Sequence, residues 1–252
     1  MTLFEHLAEF RTRLFKSLAA LVVGMIVGFV LHRPLLELLT RPYCQLPPDI
    51  RAGTRAISGE GCSLVVFDVL GSFFLVLKVA ALAAVVIAGP VIAYQVWRFV
   101  TPGLRPIERR YAIPFMAVSV VLFMGGAAFS YYILPRALAI LLDFAGPGVD
   151  SVLGANEYLG FMIHMIVGFG VAFEMPLILF TLILMGVVGS EGLRKYRRHA
   201  IFAMFAASAI ITPTTDPVTM TLMAGPLVAF YELSILFARF MERRRRRAAR
   251  AS

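Results

Sequence analysis

Residues 159–188 read LGFMIHMIVGFGVAFEMPLILFTLILMGVV, thirty positions whose only ionisable side chains are His164 and Glu174. A hydrocarbon core of about 30 Å needs about 20 apolar residues in a helix, so this run reads as a membrane span. Glu174 stands near its middle. Insertion scales put a charge at that depth at roughly 2.5–3.5 kcal/mol. Helix formation does not require it. A functional carboxylate outweighs the other reading, a protonated or internally paired structural one.

The rest of the chain agrees on class. It is 60% hydrophobic with a mean hydropathy of +0.83, far above a soluble domain. The expectation is an all-α integral membrane protein of 252 residues forming one membrane domain. Six transmembrane helices are predicted at about 15–31, 70–96, 111–134, 159–188, 200–212 and 218–238, followed by a basic tail, 239–252. Arg11, Arg13 and Lys16 resemble the start of a signal peptide. No small-x-small cleavage site follows, and five more apolar runs do, so the first span is read as retained. Lys78 lies inside the second span and is expected to snorkel toward the outer interface.

The last two spans are short. Thirteen residues at 1.5 Å each cover roughly 20 Å of a core of about 30 Å. The hairpin between them, with Thr212, Thr215 and Asp216, would then dip below the outer surface, or be an ordinary tight turn.

Charge sets the orientation. Basic residues crowd one side: Arg11, Arg13 and Lys16; Arg98, Arg105, Arg109 and Arg110; Arg194, Lys195, Arg197 and Arg198; Arg239 and arginines 243–247. Fewer lie opposite, diluted by acids. The positive-inside rule makes the first side cytoplasmic, with both termini there. The net charge of +9 is thus explained by bilayer topology, with no nucleic acid required. Cys44 and Cys62, the only cysteines, both fall in the first outer loop. An oxidising compartment permits a disulfide there; two unpaired thiols are the alternative. Two thiols without a nearby histidine pair make a poor metal site.

Enzyme and nucleotide motifs are missing from the sequence: H-E-x-x-H, G-x-S-x-G and G-x-x-x-x-G-K-[ST]. Transport would therefore draw on a gradient or on a partner's energy. Acidic residues among the inner bases remain to be explained. Glu5 and Glu9 share one helix face, and Glu108 sits beside Arg109 and Arg110. Such carboxylates can accept a guanidinium pair through charge-assisted bonds. An intrahelical Glu9–Arg13 pair is an equal alternative.

Residues 6–14, HLAEFRTRL, resemble the H-L-x-E-L-R-x-R-L motif of the TatC family, the polytopic subunit of the twin-arginine protein translocase. Residues 73–78, FFLVLK, look like that family's second-helix start. Residues 89–99, GPVIAYQVWRF, are similar to its P-V-I-x-Y-Q-x-W-x-F run. Glu108-Arg109-Arg110 matches its E-R-R, and 169–176, FGVAFEMP, its F-G-x-x-F-E-x-P helix. Thr212-Pro213 through Asp216 and Tyr231-Glu232 fit its fifth and sixth helices. Phe10 departs from the family's Leu, and the Cys44/Cys62 pair is foreign to the pattern.

The resemblance implies a concave, cup-like bundle in a bacterial-type inner membrane. It implies a receptor and scaffold, not an enzyme, that binds twin-arginine signal peptides of folded cargo and helps export them on the proton gradient. Glu9 and Glu108, with Arg11 and Phe99 from the matched motifs, would form the signal site. Glu174, with Thr212, Thr215, Asp216 and Glu232, would form an intramembrane polar site. TatA- and TatB-like single-span proteins are expected as partners, with self-association in a larger complex and anionic lipids along the tail. No cofactor or metal is implied. The rival is a proton-coupled small-solute transporter using Glu174 and Glu232. An intramembrane enzyme is disfavoured by the missing nucleophile or metal set.

Overall fold

In hydrocarbon every backbone N–H and C=O must be paired within the chain, which leaves a long apolar run few choices other than a helix. The computed structural model describes residues 3–47, 64–100, 112–143, 152–211 and 217–251. Its helices are α1 (Leu3–Val30), α2 (His32–Cys44), α3 (Gly71–Val100), α4 (Ala112–Asp143), α5 (Ala155–Ala172), α6 (Met175–Leu184), α7 (Ser190–Lys195), α8 (Arg197–Ile211) and α9 (Pro217–Ala251). Among the described residues, five stretches are long and apolar enough to cross a membrane: Phe4–Val30, Gly71–Phe99, Ile113–Leu142, Ala155–Leu184 and Pro217–Arg244. Extended pairing among the described residues is limited to a single parallel bridge, Val65 with Gly154.

Lipid tails are as apolar as leucine, so helices in a bilayer associate through close packing of small residues. The α1–α3 crossing is built this way. A Cβ on Gly24 would lie 2.9 Å from the Ala84 Cα, and one on Gly28 would lie 2.7 Å from the Ala83 Cβ. Two glycines four residues apart thus let α1 lie against the backbone of α3. The opposite face of α1 is exposed, with Val22, Ile26 and Phe29 each more than half accessible.

The buried core sits on α5. Tyr158, Leu159, Met162 and Met165 are fully enclosed, packed mainly against α4 and α3. One end of this core is tied down by polar groups. The Tyr158 hydroxyl donates to the Leu39 carbonyl at 2.7 Å, and Tyr131 donates to the Leu38 carbonyl at 2.9 Å. Both bonds hold α2 onto the bundle. Lys78, expected to snorkel, has its Nζ donating to the Asn156 carbonyl in the first turn of α5.

The run at 159–188 is interrupted. Pro176 has no N–H to give to the Ala172 carbonyl, and the helix breaks at Phe173 and Glu174 between α5 and α6. Gly186, with φ 76°, then ends α6 in a left-handed turn that favours glycine. The Val187 N–H returns to the Leu182 carbonyl at 3.0 Å, closing the cap.

The last two helices differ from each other. α8 has 15 residues and is short. α9 has 35 and is not, so the expectation of a short sixth helix is corrected. The charges after Phe240 do not stop it, because Met, Glu, Arg and Ala are good helix formers. Buried Ile235 and Ala238 carry its packed face toward that end. Thr212, Thr215 and Asp216 lie outside the described residues.

Candidate functional sites: an acidic groove and an intramembrane carboxylate

The α1–α3 crossing brings the N-terminal half of α1 beside the end of α3. There Arg13 reaches back one turn to Glu9. Its Nε donates to Glu9 Oε1 at 3.1 Å, and its Nη2 bonds the same oxygen. The intrahelical pair that the spacing allowed is therefore formed, and it occupies one carboxylate oxygen. The other, Oε2, is buried and has no hydrogen-bond partner among the described residues. Unpaired buried acceptors are uncommon, because they give up water for nothing. The Glu9 residue also borders a cavity of about 140 Å³ lined by Thr12, Lys16, Tyr94, Gln95 and Arg98.

Aromatic rings wall the same region. Phe99 stacks on His6 with centroids 4.4 Å apart, and Phe10 meets Phe99 edge-on at 5.6 Å. Arg98 Nη1 donates to the Tyr94 hydroxyl at 2.5 Å. Of the expected signal site, Phe99 thus packs on His6 and Phe10, which flank Glu9 on α1. Arg11 is exposed on α1. Glu108 lies outside the described residues.

The second site forms where α5 breaks. Glu174 is half-buried there, and Ser119 Oγ on α4 lies 2.9 Å from each of its carboxylate oxygens. The pair borders a cavity of about 400 Å³ between α3, α4 and the α5–α6 junction. Its walls are mostly apolar, among them Pro90, Trp97 and Phe123, and Glu174 is its one ionisable lining residue among those described. A lone carboxylate at the edge of an apolar hollow can accept a donor from whatever enters.

Of the other residues expected around Glu174, Glu232 is the one among the described residues. Glu232 accepts from Arg197 Nε at 2.6 Å, an ion pair between α9 and the first turn of α8. The residue that sequence reasoning missed is Ser119. Its only signal was being one of two serines in the otherwise apolar, uncharged run at 111–134. Among the described residues, no group of three His, Cys, Asp or Glu side chains could hold a metal ion.

The arrangement has close counterparts. The family model described as Sec-independent protein translocase protein (TatC) matches residues 5–226. The chain belongs to the TatC family. A TatC from Frankia casuarinae is 40% identical over 244 residues, covering 97% of this chain and 67% of that one. The Aquifex aeolicus TatC is 35% identical over 254 residues and matches at full length on both sides. Two crystal structures of the twin-arginine translocase receptor TatC share the fold at 34% identity. Their TM-scores are 0.78 and 0.79, covering 93% and 92% of this chain and 98% and 99% of theirs. The matched TatC region holds Glu9, Phe99, Glu108 and Glu174; Glu232 and the arginine tail lie past its end. TatC proteins are components of a Sec-independent protein translocase, and this chain is a multi-pass membrane member of that family.

Proposed function

We propose that this chain is the signal-peptide receptor and scaffold subunit of a twin-arginine translocase, exporting folded proteins across a bacterial inner membrane on the proton gradient. The observation that carries this reading is Glu9, which keeps one carboxylate oxygen without a partner and lines a polar cavity. A guanidinium supplies the N–H donors such an oxygen lacks. Glu108, in the connection between α3 and α4, supplies the second carboxylate, and Arg11 and Phe99 complete the site. The protein is a single membrane domain of six spans with both termini in the cytoplasm. TatA- and TatB-like helices pack near α8, α9 and Glu174, with Thr212, Thr215, Asp216 and Glu232 as polar contacts. Several copies associate in the working complex.

Glu174 and Glu232 have separate partners, Ser119 and Arg197. That supports a receptor over a carrier that passes protons between the two carboxylates.

The test is binding of a twin-arginine signal peptide to E9Q, E108Q and the double variant in membranes. Each bond to a charged group is worth about 1.5–3 kcal/mol, so losing one carboxylate lowers affinity roughly ten-fold or more. Unchanged binding in all three variants overturns the assignment. Movement of a small solute by the purified chain alone in liposomes would favour the carrier.

A further inference from the structure

Hydroxyls in membrane helices usually donate to the carbonyl one turn back, which satisfies the donor without a tertiary partner. This chain follows that habit repeatedly. Thr181 donates to Leu177, Ser208 to Met204, Thr221 to Pro217 and Ser234 to Phe230, each at 2.6–2.8 Å. Ser119 breaks it. Its side chain is buried, and it faces the two oxygens of Glu174, 55 positions away, at 2.9 Å each.

We infer that Ser119 is a positioning residue for Glu174: it holds the carboxyl group at the edge of the α3–α4–α6 cavity, in the one orientation from which an entering donor can meet it. A glutamate side chain has three rotatable bonds, and fixing them costs entropy. In an otherwise apolar cavity wall, no other described lining residue offers a side-chain hydroxyl or amide to fix it. A single donor within reach of both oxygens holds the carboxyl group against α4 where both residues line the hollow. The inference rests on the reading that Glu174 serves partner binding or transport.

The measurement is infrared difference spectroscopy on the full chain in lipid, with glutamate isotope-labelled and E174Q used to pick out the Glu174 carboxyl band. S119A is expected to shift and broaden that band, while S119T, which keeps the hydroxyl, leaves it in place. Alanine is the best helix former, so S119A is expected to fold. Transport provides the second readout. S119A is expected to fall to the level of E174A, S119T to retain most activity, and S119A added to E174A to cause no further loss. Non-additivity of this kind is the mark of two residues acting together. An unshifted band in S119A overturns the contact whatever transport does. Normal transport by E174A instead overturns the role given to Glu174, and the spectra still decide the Ser119 contact. A further loss when S119A is added to E174A shows Ser119 acting independently of Glu174, and overturns the positioning role.

Discussion

Tyr158 on α5 donates its hydroxyl to the Leu39 carbonyl on α2 at 2.7 Å, a buried bond spanning 119 positions of sequence. The Tyr43 ring packs against it at 5.6 Å. Together they dock a helix of mixed polarity onto the apolar bundle. Tyr158→Phe keeps the ring and removes the bond. It is expected to lower stability by about 0.5–1.5 kcal/mol, read as an earlier thermal midpoint in detergent with transport largely retained.

Gly28 is expected to be intolerant of any side chain. Its Cβ position is 2.8 Å from the Ala80 carbonyl oxygen as well as close to Ala83. Gly28→Ala should destabilise by about 1–3 kcal/mol through overpacking, and Gly28→Leu by more. Gly125 in α4 is the control, since apart from its own helix backbone and chain neighbours nothing lies within 4 Å of its Cβ position. Gly125→Ala should be neutral or stabilising, because alanine favours a helix interior by about 1 kcal/mol over glycine. Thermal unfolding of the three variants side by side checks the contrast.

Glu242 accepts from the Ser190 backbone N–H at 2.7 Å and from its hydroxyl at 2.6 Å. One carboxylate on α9 thus caps the start of α7. Truncation after Glu242 keeps this cap and removes arginines 243–247, of which Arg243 and Arg244 are exposed. It should weaken binding to anionic vesicles by about 1 kcal/mol per lost basic residue near the surface, and leave signal binding intact. Truncation after Met241 also removes the cap. Faster amide exchange at Ser190 and Gly192 is expected only in the shorter chain. Equal exchange in both would show that the cap does not hold α7.

Cys44 and Cys62 are proposed to form a disulfide in the outer loop. Cys44 closes α2, and no described cysteine is a free thiol; Cys62 lies outside the described residues. The bond would close about nineteen residues and stabilise by up to roughly 3 kcal/mol in the chain-entropy model. Mass spectrometry of protein kept from reductant should find neither thiol alkylated. Two alkylated cysteines would refute the pairing.

Local features were legible along the chain. Hydropathy marks where helices form, since hydrocarbon leaves the backbone no other regular way to pair its polar groups. The break beside Glu174 was not read from the sequence, which reads as one span over 159–188, although the missing N–H of Pro176 is its local signal. The Glu9–Arg13 pair is an i, i+4 contact and needs no fold to bring it together. The end of α9 was less legible, because a run of arginines signals topology and says nothing against continuing a helix.

What the sequence determined by itself was the class, the apolar runs that form the long helices and the presence of a carboxylate that hydrocarbon does not welcome. Tertiary structure alone decided the partners: Glu174 with Ser119 across 55 positions, Glu232 with Arg197 across 35, and Phe10 with Phe99. The reason lies in the solvent. In water a helix shows its buried face as an apolar stripe, but in lipid both faces are apolar and the stripe vanishes. Neighbours are then chosen by small residues such as Gly24 and Gly28 and by single hydroxyls, whose destinations emerge only when the helices pack.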